Sequence, residues 1–168
     1  DFVKPHDNSK RISYYFVKRI MDIVISIILI IILLPMYLFI ILTILIFSGR
    51  PVLYKWQIIG FMGKPITSWK FRTMVIDADN KKNDLLKENE MGGPVFKIRA
   101  DPRITWEGKY FRKYSMDESI QLFSVIKGDL SLVGPRPPLQ LEWNNFEENH
   151  KKKVGIKPGV SGLWQVSG

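Results

Sequence analysis

From Ile23 to Phe47 the sequence reads IVISIILIIILLPMYLFIILTILIF, with no charged residue in the run. That exceeds the roughly 20 apolar residues a helix needs to cross the hydrocarbon layer, and a chain of 168 residues has too small a core to hide it. The run is too long for the apolar core of a signal peptide and lacks a small-residue cleavage site, so it reads as a retained membrane segment. Pro35 falls near its middle, where it removes a backbone donor and crowds the preceding turn, so a bend is expected. Each half is then about a dozen residues, or roughly 18 Å of helix against a hydrocarbon core of roughly 30 Å. Lys10, Arg11, Lys18 and Arg19 precede the run, and Arg50, Lys55, Lys64, Lys70 and Arg72 follow it. Positive charge marks the cytoplasmic side, and here it marks both ends. The reading is a re-entrant helix-break-helix over 18–49, preferred to a kinked spanning helix, with Lys18, Arg19 and Asp22 at headgroup depth.

The chain suits one compact domain. At 46% hydrophobic it can bury a modest core, and its net charge of +9 calls for polyanionic company: nucleic acid, anionic lipid or a phosphorylated substrate. The apolar run selects lipid, and no nucleic-acid-binding motif accompanies the charge, so no nucleic-acid partner is expected. With no cysteine, disulfides and thiolate metal sites are excluded, and any metal must be held by oxygen. Asp1 is not an initiator Met and the chain stops at LWQVSG, so it reads as a piece of something longer. The expected organisation is an N-terminal flank over 1–17, the membrane segment over 18–49 and a domain over 50–168 truncated at its C-terminal end.

PVLYKWQII and PITSWKFRTMV are rich in β-branched and aromatic residues and are separated by GFMGK, which predicts a β-hairpin. Alternation in the second strand sends Trp69 and Phe71 to one face and Lys70 and Arg72 to the other, a two-cation patch. A polar helix is expected from about Asp77 to Glu90, ending at Gly92-Gly93-Pro94. PPLQLEWNNFEENHKKK places Leu139, Trp143 and Phe146 at helical spacing for packing, with Lys151 to Lys153 at the favourable end. His6 and His150 are isolated and take no role, and no GxGxxG or P-loop pattern occurs.

The stretch from Pro94 to Pro138 is the densest in charge: Lys97, Arg99, Arg103, Lys109, Arg112, Lys113, Lys127 and Arg136 alternate with Asp101, Glu107, Asp117, Glu118 and Asp129. Within it, YSMDESIQLF sets two carboxylates side by side at a helix start. Ser115-x-x-Glu118 fits a capping box, and acids are favoured in a first helical turn, so decoration of a helix start competes with a reagent's role. Beyond the pair, Leu122, Val125 and Ile126 fill an apolar arc that suits either the domain core or a helix lying in the membrane interface. In VGPRPP, Pro135 and Pro137 fix the backbone on both sides of the Arg136 guanidinium, as bidentate phosphate binding or an ordinary rigid turn would require. KPGVSG reads as turn punctuation, in preference to a loop that approaches a ligand.

KFRTM (70–74), DPRIT..G (101–108), FRKYSMDE..QL (111–122), GDLSLVGPRP (128–137) and KPGVSGLWQV (157–166) together resemble the bacterial sugar transferases, monotopic polyprenyl-phosphate phosphoglycosyl transferases that prime surface polysaccharide synthesis. The resemblance implies an α+β, mostly helical fold: the re-entrant membrane helix plus a small cytoplasmic domain with a β-hairpin and interfacial amphipathic helices. It implies transfer of a sugar-1-phosphate from a UDP-sugar to undecaprenyl phosphate with release of UMP, Mg²⁺ as cofactor and a covalent phosphosugar-aspartate intermediate. By the same resemblance Asp117 is the nucleophile and Glu118 its partner in catalysis, the two together holding Mg²⁺. Lys70, Arg72, Arg112 and Arg136 are then the cations for the substrate phosphates, with Asp101 and Arg103 weaker candidates suited to structural pairing. The implied setting is the cytoplasmic face of the bacterial inner membrane, with the homo-oligomeric state open and the sugar open between glucose, galactose and N-acetylated or deoxy sugars. Ser119-Ile120 stand where the family has Leu-Pro, Ser124 where it has Asn, and Ile58 in WQIIG where it has a cation. A non-catalytic, membrane-tethered basic module that binds lipid or a partner is the alternative reading.

Overall fold

The structure, a computed structural model, describes residues 8–82, 98, 101–146 and 155–162. Most of the helix expected between Asp77 and Glu90, its Gly92-Gly93-Pro94 stop, Lys97, Arg99, the lysines 151–153, both histidines and the Trp-Gln-Val block lie outside these residues.

Helix α1 (Asn8–Phe47) contains the whole apolar run and has Pro35 inside it. Helical backbone continues through Pro35, so the expected interruption is at most a bend within one helix. A proline removes one intrahelical bond, and the turns on either side, made of long apolar residues, keep theirs. From Ser13 to Phe47 the helix is long and apolar enough to cross a membrane by length and composition. Its buried positions, Asp22, Ser26, Ile30, Tyr37, Ile40 and Ile44, recur at helical spacing and form one stripe, while Ile31, Ile32, Leu34, Leu38, Phe39, Leu42 and Ile46 stand exposed. Apolar side chains all around a helix, with only one stripe covered by protein, leave a surface that suits lipid and not water.

That stripe meets the rest of the chain along both halves. Near its start, Lys18 Nζ donates to Ser131 Oγ at 2.6 Å, Asp22 accepts from Ser131 Oγ at 2.8 Å, and the Arg19 guanidinium donates to the Val125 and Ile126 carbonyls at 2.6 and 2.7 Å. At its far end the Ser48 hydroxyl donates to the buried Glu107 carboxylate. Arg72 closes the helix C-terminus by donating to the Ser48 and Gly49 carbonyls, both at 2.6 Å, and to that of Arg50 at 3.4 Å. These carbonyls lie just past the last turn, where a guanidinium satisfies them and complements the negative end of the helix dipole.

Strands β1 (Leu53–Ile59) and β2 (Pro65–Phe71) form the antiparallel hairpin that the sequence predicts. The GFMGK turn is closed by Gly60 N–H on the Lys64 carbonyl at 2.7 Å, with Met62 and Gly63 both at positive φ. The register pairs Tyr54 with Lys70, Trp56 with Ser68 and Ile58 with Ile66, so these six share one face. Ile58 packs there with Val125 and Leu130 in one apolar cluster. The other cluster joins Ile30, Tyr37, Ile40 and Ile44 of α1 to Phe71, Phe111 and Leu122, so the membrane helix supplies one wall of the domain core.

Helix α2 (Trp106–Lys113) starts at Thr105, whose hydroxyl accepts from Gly108 N–H at 3.2 Å. Its Trp106 and Tyr110 are exposed, and Trp106 meets Phe47 of α1 edge-on at 4.9 Å. A 3₁₀ turn (Met116–Gln121) leads into α3 (Leu122–Lys127), which ends at Gly128 in the left-handed conformation. Leu122 and Val125 go to the core, as one of the two readings of the apolar arc has it, while Phe123 stays exposed. Strand β3 (Ser131–Val133) pairs in parallel with β4 (Gly159–Ser161), and α4 (Gln140–Asn144) lies between them in sequence. A Cβ on Gly159 would meet the Gly134 nitrogen at 2.1 Å, and one on Gly134 would meet the Lys157 carbonyl at 2.5 Å. The glycines of GPRP and KPGVSG are therefore there so that two backbones can touch.

Arg72 is 7% exposed and closes the helix that walls the core. Arg72→Met leaves those carbonyls and the neighbouring Glu107 charge uncompensated, and is expected to lower stability by about 3 kcal/mol. Thermal unfolding in detergent micelles reads this; a change within error would show that the cap is dispensable.

Candidate active site

The chain enters the 3₁₀ turn through Ser115, which has φ 53, a left-handed conformation that its side chain does not help with a capping bond. The expected capping box is thus not formed. Glu118 turns outward instead and accepts from Lys70 Nζ at 2.6 Å, while the same ammonium lies 3.6 Å from the centre of the Trp56 ring. Asp117 turns inward and is 7% exposed. Adjacent positions of a tight turn send the two carboxylates to different environments, one half-solvated and paired, the other desolvated.

Asp117 has its pKa pushed above the ordinary aspartate value, first by burial and then by the Glu118 charge, with Lys70 and Arg112 pulling the other way. Its neighbours line a cavity of about 520 Å³ that runs from Asp117, Glu118, Lys70 and Arg112 to Tyr54 and Asp79 at its rim. A second lobe of about 360 Å³ shares Trp56, Lys70, Ser115 and Glu118 with the first and adds Gln121 and Arg136. The Lys70–Glu118 pair stands between the lobes.

The candidate cations separate on this geometry. Lys70 and Arg112 face the lobe with Asp117, and Arg112 is steadied by Nε on the Thr73 hydroxyl at 2.8 Å. Arg136 lines the second lobe, its guanidinium half-exposed and 3.6 Å from Glu142. Arg72 borders the first lobe, but Nη1 and Nη2 are committed to the end of α1, because β2 stops at Phe71 and the alternation expected to unite it with Lys70 stops there too. Asp101 and Arg103 are buried against each other, with Arg103 Nη2 on Asp101 Oδ2 at 2.6 Å and Nη1 on the Ala78 carbonyl at 3.1 Å; neither lines a lobe. That pairing holds the Asp101 carboxyl below its ordinary range, Arg103 hydrogen bonding being the main cause.

Among the described residues no three acidic or histidine side chains cluster. The adjacent carboxylates of Asp117 and Glu118 fit the usual Mg²⁺ pattern, in which one or two carboxylates serve and substrate phosphates and water complete the shell. The unrelieved burial of Asp117 is what such a cation would compensate.

Trp56, which lines both lobes, and Tyr54 were not among the sequence candidates. The hairpin register was the available signal, since it puts both beside Lys70 and Ser68 on one face. Gln121, 2% exposed with its side-chain nitrogen unpartnered, and Thr73 sit in the quoted motifs FRKYSMDE..QL and KFRTM but were not singled out as site residues. Ile58 and Ser124, which depart from the family pattern, are both accounted for. Ile58 is core, and the Ser124 hydroxyl lies 2.9 Å from that of Ser68.

The sequence profile described as bacterial sugar transferase matches residues 13–168. The galactosyl transferase CpsE of Streptococcus agalactiae is 45% identical over 72% of this chain and 27% of its own length. The undecaprenyl-phosphate galactose phosphotransferase of Salmonella typhimurium is 39% identical over 96% of this chain and 35% of its own. The UDP-glucose:undecaprenyl-phosphate glucose-1-phosphate transferase of Klebsiella pneumoniae is 32% identical over 90% of this chain and 31% of its own. The chain thus spans about a quarter to a third of the length of these relatives. A profile that matches nearly the whole chain, including the Asp117–Glu118 turn, the hairpin and the two touching glycine loops, places it in the bacterial sugar transferase family.

Proposed function

We propose that this chain transfers a sugar-1-phosphate from a UDP-sugar to undecaprenyl phosphate, releasing UMP, as the first step of surface polysaccharide or glycoconjugate synthesis. The observation that carries the reading is the buried Asp117 carboxylate at the wall of a cavity that also holds Glu118, Lys70 and Arg112, one layer from the apolar helix. A module that only tethers or binds has no use for a desolvated carboxylate facing a cavity.

The chemistry follows from the charges. An Asp117 carboxylate oxygen attacks the β-phosphorus of the donor, forming an acyl-phosphate P–O bond while the bond to the UMP oxygen breaks and UMP leaves with the electron pair. A phosphate oxygen of undecaprenyl phosphate then attacks the same phosphorus, forming the lipid diphosphate and returning the carboxylate. Anion attack on a diphosphate needs fixed positive charge. Lys70 and Arg112 supply it beside Asp117, and Arg136 is placed to take the nucleotide side through the second lobe. Mg²⁺ held by Asp117 and Glu118 would add charge neutralisation on the phosphates. Galactose and glucose, named by the relatives, are the first sugars to assay.

The acceptor cannot leave the bilayer, so the site must meet it there. We read α1 as re-entrant from the cytoplasmic face of the inner membrane. Lys18 and Ser48, at the two ends of the apolar run, both bond to the same domain, and a spanning helix would hold its ends across a hydrocarbon core of roughly 30 Å. Exposed Trp106 and Tyr110 beside Phe47 suit the headgroup layer.

Two measurements test the reading. Because the chain has no cysteine, single cysteines at Ser13 and Lys55 can be labelled with a membrane-impermeant maleimide. Both are expected to react from the cytoplasmic side only, whereas a crossing helix gives one from each side. Asp117→Asn is expected to abolish UMP release while raising the thermal midpoint. A buried carboxyl whose folded pKa is raised favours the fold below its unfolded pKa, and that contribution is lost as pH rises through the folded value. The variant's advantage should therefore vanish in acid, grow as pH rises past the unfolded value and level off above the folded one. Retained turnover in Asp117→Asn would leave the tethering module as the reading.

A further inference from the structure

Tyr37 lies two residues beyond Pro35, inside the apolar run, and is 5% exposed. A phenol in such a segment carries a hydroxyl that is costly to bury unless it is bonded, and packing alone would be served by phenylalanine. Here the hydroxyl donates to the Ser119 carbonyl at 3.0 Å, and the ring lies against Phe71 with centroids 5.7 Å apart. Ser119 belongs to the 3₁₀ turn that carries Asp117 and Glu118, and Phe71 follows Lys70, the ammonium on Glu118. One side chain of α1 thus touches both chain segments that bring charge to the site.

Apart from Tyr37, the turn is held from outside by the Lys70–Glu118 ion pair and by Met116 and Ile120 packing against the core, and its own backbone bonds are weak. It is entered through a left-handed Ser115 with no capping side chain, and its Glu118 N–H reaches the Ser115 carbonyl only at 3.4 Å. Its other hydrogen bonds to backbone carbonyls are local: the Ser119 hydroxyl on the Met116 carbonyl at 2.6 Å, and the Leu122 N–H shared between the Ser119 and Ile120 carbonyls. Short 3₁₀ segments have poor hydrogen-bond geometry, so a bond from outside counts for more there than in an α-helix. Ile120 follows directly, without a ring to restrict the backbone.

We propose that Tyr37 is a positioning residue for the transfer reaction. Its hydroxyl holds the Ser119 carbonyl, fixes the Met116–Gln121 turn with Asp117 against the cavity, and so ties the seating of α1 to the aim of the nucleophile. This rests on the function proposed above. Tyr37 touches no reacting atom, and acts through the turn.

The test uses the full chain in lipid nanodiscs, as wild type, Tyr37→Phe and Tyr37→p-aminophenylalanine. The last keeps a donor at the same place. Steady-state UMP release with UDP-galactose or UDP-glucose gives kcat and KM, and hydrogen exchange gives local opening. Tyr37→Phe is expected to lower kcat about tenfold, since small misplacement of a reacting group is enough, with KM within about twofold because the cations proposed to hold the donor, Lys70, Arg112 and Arg136, lie outside the turn. Exchange should quicken in the peptide covering 116–122 and stay unchanged in the hairpin over 53–71, and p-aminophenylalanine should restore both. Wild-type kcat and wild-type exchange in the turn of Tyr37→Phe would overturn the proposal, and so would quickened exchange throughout the hairpin, which would make the bond a general structural one. If the wild type itself releases no UMP, the proposed function fails, and the exchange comparison still decides the role of Tyr37.

Discussion

The membrane helix is a wall of the domain that follows it. Tyr37, Ile40 and Ile44 complete an apolar cluster with Phe71, Phe111 and Leu122, and the last of these begins the helix immediately after the carboxylate pair. Removing that stripe would expose the underside of the hairpin and of the 3₁₀ turn at once, so α1 cannot be treated as an anchor appended to an independent domain. Polar contacts pin the stripe at each end, Asp22 and Arg19 on the α3–β3 side and Arg72 with Glu107 at the C-terminus. One side of the helix is thus covered by the domain, and the other presents an apolar surface that suits lipid.

The same arrangement explains the electrostatics. Two neighbouring carboxylates would repel if both were held in one environment. The tight turn from Ser115 separates them, leaving Glu118 with Lys70 and sending Asp117 into a desolvated position beside the cavity. Burial of that charge opposes folding at neutral pH, and such a cost is retained where chemistry uses it. Lys70 and Arg112 nearby partly offset it.

Much of this was legible in the residues. The hairpin was read from β-branched runs around GFMGK, and the carboxylate pair, Lys70, Arg112 and Arg136 were read as a site before any geometry; the structure sets them around two joined lobes. What alternation could not say is where a strand stops. Arg72 was assigned with Lys70 by period two, yet the strand ends one residue earlier and the guanidinium goes to the end of α1. The capping box failed for a similar reason: Ser115-x-x-Glu118 is a local pattern, and a distant lysine competes for the glutamate. The glycines of GPRP and KPGVSG looked like turns because a contact between loops some 25 residues apart leaves no periodic trace. Pro35 marked a break, and the helical backbone continues through it as one element that a bend can still turn.

The central claim is that Asp117 takes the sugar phosphate onto itself. The most direct measurement is mass spectrometry of the intact chain, and of its peptides, after brief mixing with the UDP-sugar in the absence of lipid acceptor. The account predicts a mass increase equal to one sugar phosphate, located on Asp117 and discharged when undecaprenyl phosphate is added. Product formed by a chain that never carries this mass, in wild type trapped at any time, would mean that the lipid attacks the donor directly, and would contradict it.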